Sequence, residues 1–146
     1  MEIKEITIDD IDNCVETFIG SYNRLPWNYD WNEDDAKQYL SDYVNSAQFK
    51  GFMIVEDGKV LGALFGHART WWTNNQFMID ELFIGPDAQG KGYGKLLLSH
   101  AEQHAKGSDM ERLILMTNKF MPALDFYDKN NFSKVDQYVF MFKELQ

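Results

Sequence analysis

A glycine-dense junction between two regular elements constrains this chain more than any other feature. Gly85-Pro-Asp-Ala-Gln-Gly90-Lys91-Gly92-Tyr93-Gly94-Lys95 follows an apolar run from about Gln76 to Ile84 and precedes the helical stripe Tyr93, Leu96, Leu97, Ala101 and His104. Where a strand turns into a helix, backbone N–H groups and the positive helix end converge, and such a place can hold phosphate. Two nucleotide motifs fail there. Gly-x-x-x-x-Gly-Lys is satisfied from Gly85 to Lys91, but Gly92 stands where a Ser or Thr must hold Mg²⁺. The dinucleotide fingerprint needs its third glycine one residue later than Gly94. A tight turn whose glycines merely allow positive φ is the ligand-free reading.

The hydrophobic period changes along the chain. Ile6 and Ile8 alternate as a short strand, and Ile11, Cys14, Val15, Phe18, Ile19 and Tyr22 then follow a helical stripe, which puts Cys14 on a buried face. Residues 23–31 form an aromatic loop, after which Asn32 with Asp35 signals a second helix carrying Ala36, Tyr39, Leu40, Tyr43 and Val44. Gly51–Glu56 and Val60–Ala68 flank Asp57-Gly58, the pair of a type I′ hairpin turn. Beyond the glycine junction we expect a strand at Arg112–Thr117, a helix at Pro122–Lys129, and strands near Phe132–Val135 and Gln137–Phe142. This order predicts one α/β domain over residues 1–146, a mixed sheet with helices on both faces.

Charge and cysteine content narrow the function. Twenty-three acidic residues against 14 Lys and Arg give a net charge of −9, which disfavours nucleic acid and suits cationic partners or a merely solvated surface. The single cysteine permits no internal disulfide or thiolate cluster, and no stretch reaches the length of a membrane span, so a cytoplasmic protein is expected. His100 and His104 share a helix face, but His-Ala-Glu-Gln-His is not a zinc-protease motif and no metal is expected.

Gln89-Gly90-Lys91-Gly92-Tyr93-Gly94 resembles the Gln/Arg-x-x-Gly-x-Gly loop of the GNAT superfamily of acyl-CoA N-acyltransferases. Glu81-Leu82-Phe83-Ile84-Gly85-Pro86 looks like that family's fourth strand and its exit, and Ala123 to Tyr127 with Asn131-Phe132 is similar to its Ala-x-x-x-Tyr helix and trailing Gly-Phe. The element order agrees over essentially the whole chain. Phe120 stands where many relatives have an asparagine, so Asn118 is the candidate pantetheine contact. Asn131 replaces a glycine but also tolerates the left-handed region that stops a helix.

The resemblance implies a GNAT fold with a mostly antiparallel sheet, acetyl-CoA as cosubstrate and direct transfer to a small-molecule amine. Gln89, Gly90, Lys91, Gly92, Tyr93, Gly94 and Lys95 would cradle the pyrophosphate, and Leu82, Phe83 and Ile84 would offer backbone bonds to pantetheine and the acetyl oxygen. Tyr127 would protonate the departing thiolate; its alternative is a packing residue. As neighbours on a strand, Asp80 and Glu81 should face opposite sides. Their positions match the adjacent acids of diamine acetyltransferases, which implies Asp80 as base and Glu81 as binder, with an exposed ion-pair role or a solvent chain as alternatives. Trp27, Tyr29, Asp30, Trp31, Trp71 and Trp72 would face a polyamine, aminoglycoside or other cationic acceptor, or else form a hydrophobic lid or homodimer contact. A protein amino-group acetyltransferase and a non-catalytic acyl-CoA sensor remain open.

Overall fold

The change of period is realised in a computed structural model that describes all 146 residues. β1 (Glu2–Glu5) passes into a capping turn in which the Thr7 backbone N–H and hydroxyl both donate to the Asp10 carboxylate, at 2.8 and 3.1 Å. Helix α1 (Ile11–Tyr22) follows and buries Ile11, Cys14, Val15 and Phe18, the stripe read from the sequence. Burial pushes the Cys14 thiol up to about 12, so this cysteine is protonated core rather than a nucleophile. Helix α2 (Glu33–Val44) starts where Asn32 Oδ1 accepts the Asp35 N–H at 2.8 Å, satisfying one of its orphan donors as expected.

β2 (Phe49–Glu56) and β3 (Lys59–Arg69) form the expected hairpin, with Asp57 and Gly58 at φ of +51° and +78° as a type I′ turn requires. β4 (Gln76–Ile84) adds antiparallel to β3. Helix α3 (Tyr93–Gly107) then carries the chain back so that β5 (Arg112–Leu115) lies parallel to β4. The sheet order is β1-β2-β3-β4-β5, the mixed, mostly antiparallel arrangement expected.

Adjacent residues show how the two faces are used. Met53 joins Phe18, Leu40, Phe65 and Phe83 beneath α1 and α2, whereas the neighbouring Phe52 meets the rings of His100 and His104 on α3. His104 also packs on Phe77, and burial lowers its pKa, so these two histidines serve as packing. A Cβ added to Gly66 would stand 2.5 Å from the Phe77 ring and 2.6 Å from the Met78 carbonyl oxygen; glycine is required for the approach of β3 to β4. No helix is long and apolar enough to cross a membrane.

Residues 1–116 form one compact unit and residues 117–146 a second. In the second, helix α4 (Ala123–Lys129) ends in a left-handed Asn131 at φ +70°, and the Phe132 N–H returns to the Tyr127 carbonyl at 3.1 Å. Asn131 thus stops the helix as a glycine would.

Three expectations need correction. The first strand is Glu2–Glu5, while Ile8 opens a short 3₁₀ turn; pairing with Phe52–Val55 decides this strand, not its own alternation. The other two are the strands expected near 132–135 and 137–142: residues 133–146 form no strand, and Tyr138, Val139, Phe140, Met141 and Phe142 are each at least 72% exposed. Alternation gives a segment strand propensity, but a strand exists only where another strand takes up its backbone groups.

Candidate active site

The site is built on an irregularity in β4. Phe65 of β3 pairs with Glu81 and the next residue, Gly66, pairs with Ile79, so Asp80 is an extra residue bulged from the ladder. The bulge overturns the expectation that Asp80 and Glu81 face opposite sides. Glu81 lies opposite Phe65, and Asp80 meets His67, two residues on and on the same face of β3. Burial raises the pKa of Tyr43 on α2, and the charges of both carboxyl groups add to it. Beyond this point β4 also loses its neighbour: Gln76–Ile79 pair with Arg112–Leu115, but Glu81–Ile84 pair only with β3. The parallel strands part at the bulge, and Leu82, Phe83 and Ile84 line the edge left open.

Glu81 is committed to the protein. Its two carboxylate oxygens accept the Tyr22 hydroxyl at 2.8 Å and the Tyr39 hydroxyl at 2.5 Å, and Tyr43 donates to Tyr39 at 3.1 Å. Burial raises the Glu81 pKa, partly offset by the two phenol donors, and burial with the Glu81 charge drives the Tyr39 phenol far above its ordinary range. Asp80 has a different partner. Its Oδ2 lies 2.7 Å from His67 Nδ1 on β3, its side chain is only 10% exposed, and burial raises its pKa against the pull of the imidazole.

His67 did not stand out in the sequence. The available signal was a lone histidine in the apolar run Val60–Ala68, two residues after Phe65 and hence on the same face of the strand. Pairing it with Asp80 requires the cross-strand register and the bulge, neither of which periodicity supplies.

Asn23 ties the aromatic loop to this face. Its Oδ1 accepts the Trp31 N–H and its Nδ2 donates to the Trp31 carbonyl, both at 2.8 Å, while the Tyr29 N–H bonds to the Tyr22 carbonyl. Trp31 is thereby set edge-on to Phe18, 5.2 Å between ring centres, and Trp27 and Tyr29 lie against Tyr22. Tyr29, Asp30 and Trp31 with Asp35 line an open pocket of about 330 Å³. Trp71 and Trp72 lie apart from these rings. Arg69 stands over Trp71 at 5.5 Å, and Trp72 is 86% exposed.

At the far end of β4, Gly90 and Gly92 have φ of +77° and +83°, and nothing lies within 4 Å of where a Cβ would stand on either. Gly92 caps α3, whose first turn has no acidic residue, and Lys91 and Lys95 flank it in solvent. The Gln89 amide donates to the Ile84 carbonyl at 3.2 Å and so ties the loop to the strand end. In the second unit Tyr127 is buried, with its ring against Phe126 and Phe132, and the Asn118 side chain accepts the Phe120 N–H at 2.9 Å.

A family model described as acetyltransferase (GNAT) matches residues 16–132. The chain belongs to the GNAT family of acetyltransferase enzymes. An uncharacterized N-acetyltransferase of Archaeoglobus fulgidus is 31% identical over 111 residues, 72% of this chain and 74% of its own. Another, from Methanocaldococcus jannaschii, is 26% identical over 140 residues; the match takes in 90% of this chain and spans 60% of the length of that relative. Among solved structures, an aminoglycoside acetyltransferase from an uncultured soil metagenomic sample, in complex with sisomicin, superposes with a TM-score of 0.77 at 18% identity, covering 99% of this chain and 96% of that one.

Acetyl-CoA is the donor that the GNAT family implies, and the residues present fit it. The open glycine cradle at the start of α3 suits a pyrophosphate, and the unpaired edge of β4 runs from there to the bulge over five residues, roughly 15 Å at the usual strand rise. Such an edge would offer its free backbone groups to an extended chain, and the bulge brings Asp80 and His67 to its end.

Proposed function

We propose that this GNAT chain moves the acetyl group of acetyl-CoA to the primary amine of a cationic small molecule. The parting of β4 from β5 at the Asp80 bulge carries this reading. One continuous edge then joins a phosphate cradle to a proton-accepting pair. Pyrophosphate binds the amides and lysines of Gln89–Lys95, and the backbone of Leu82, Phe83 and Ile84 holds the pantetheine arm and the acetyl oxygen, with Asn118 as a further pantetheine contact. The open pocket of Tyr29, Asp30, Trp31 and Asp35 presents ring faces and carboxylates to an ammonium, as does the charge of −9. Glu81 acts on the acceptor side only by fixing Tyr22 and Tyr39.

The ammonium gives one proton to the Asp80–His67 pair. The neutral amine attacks the thioester carbon, a C–N bond forms and the C–S bond breaks with its electron pair passing to sulfur. Tyr127 protonates that thiolate, and the second proton shed by nitrogen returns through solvent to the phenolate. The products are amide, free thiol and one released proton.

Exposed apolar residues at Tyr138–Phe142 support a homodimer in which this run meets its counterpart in a second copy. A single free, buried cysteine, Cys14, suits a reducing cytoplasm.

A free-thiol release assay with acetyl-CoA and a panel of polyamines, aminoglycosides, lysine peptides and neutral amines tests the reading. Turnover with small polycations that weakens as salt rises is expected, because exposed charges are screened beyond about 8 Å at physiological ionic strength. Turnover with lysine peptides alone would shift the assignment to protein acceptors. Acetyl-CoA binding with no thiol release from any amine would make the chain a sensor.

A further inference from the structure

We propose that His67 is the catalytic base of this acetyl transfer and that Asp80 is its positioning residue, an assignment that rests on the N-acetyltransferase reading. The two side chains bond directly, yet they differ in access: the His67 side chain is 33% exposed and that of Asp80 only 10%. A base must reach the amine, and in this pair the imidazole is the more accessible member.

An ionised Asp80 in contact with Nδ1 sets the tautomer. A carboxylate only accepts, so Asp80 Oδ2 holds the proton on Nδ1, which leaves the Nε2 lone pair unprotonated. Nε2 has no hydrogen-bond partner in the protein. The groups around the ring leave no competitor. Glu81 on β4 has both oxygens occupied by Tyr22 and Tyr39, Tyr43 on α2 donates to Tyr39, β2 contributes Phe49 opposite His67, and Arg69 further along β3 lies over Trp71. In the transfer, Nε2 takes one proton from the ammonium and becomes imidazolium, stabilised by the Asp80 carboxylate. The neutral amine then attacks the thioester, and the imidazolium returns its proton to solvent.

Three variants and two readouts test the assignment. His67→Gln should lower kcat/KM about 10²–10⁴-fold and remove the acidic limb of the pH–rate profile, with acetyl-CoA affinity by calorimetry unchanged. Asp80→Asn offers an N–H to Nδ1 and so moves the ring proton to Nε2, and it should cost nearly as much as losing the imidazole. Asp80→Glu keeps an acceptor and should retain more activity than Asp80→Asn. Independently of turnover, ¹⁵N–¹H spectra of the imidazole should show the Nδ1–H tautomer in the wild type and the Nε2–H tautomer in Asp80→Asn. If His67→Gln unfolds, these spectra decide the matter on the wild type and Asp80→Asn alone. A wild-type Nε2–H tautomer would overturn the proposal, as would an active His67→Gln enzyme with its acidic limb intact. Wild-type protein that binds acetyl-CoA but acetylates no amine would instead overturn the N-acetyltransferase reading, and this role with it.

Discussion

Glu81 and Asp80 are neighbours whose environments assign them different tasks. Glu81 joins α1 and α2 to the sheet through two tyrosine hydroxyls, and burial holds its carboxyl above the ordinary 4.5. The unfolded chain therefore loses that proton first as pH rises, and this contribution to stability is complete below about 4.5 and lost as pH climbs through the folded value. Chemical denaturation between pH 4 and 8 should show wild-type stability falling over that interval, with a smaller fall in Glu81→Gln. An equal fall in both would place the effect elsewhere, with Asp80 the next group to test. Tyr127→Phe removes only a hydroxyl and should slow turnover about 10²–10⁴-fold while leaving acetyl-CoA affinity unchanged, as calorimetry and initial rates can show. Unaltered turnover would make Tyr127 a packing residue. Of the acidic pair the sequence showed the residue types but not their orientation. Opposite faces follow for any regular strand, and only the pairing of β4 with β3 reveals the extra residue at Asp80.

At the scale of elements, local signals were reliable wherever the chain satisfies its own backbone. The stripe of α1, the Asn32 cap of α2, the Asp57-Gly58 turn and the Asn131 stop each depend on a few adjacent residues, and each was legible. Features that depend on a distant partner were not: the position of β1, the parting of β4 from β5, the His67–Asp80 contact and the absence of strands after Phe132. The glycine junction combines both kinds, since its left-handed residues were readable while the open space around them was not. Gly92→Asp would put a side chain and a negative charge into that space at φ +83°, and calorimetry should then show acetyl-CoA affinity falling at least tenfold. Unchanged affinity would remove the phosphate role from this loop.

At the scale of the whole molecule, acidic charge, an aromatic acceptor side and an exposed apolar run each predict a kind of partner. Tyr138, Val139, Phe140, Met141 and Phe142 show 72–83% of their surface to solvent, and a fully buried aromatic side chain covers roughly 150–250 Å². Two copies meeting along this run would reach the roughly 1,200 Å² of a stable interface. Light scattering should report a dimer, and Phe140→Asp should give a monomer; a wild-type monomer at tens of micromolar would contradict this. The central claim is that acetyl-CoA lies along the open edge of β4, from the glycine cradle to the bulge. Hydrogen–deuterium exchange with and without acetyl-CoA measures it most directly. The account predicts slowed exchange in peptides spanning Asp80–Ile84 and Gln89–Lys95, with the β2–β3 hairpin around Asp57-Gly58 unchanged. Protection confined to other segments, or none at saturating acetyl-CoA, would contradict it.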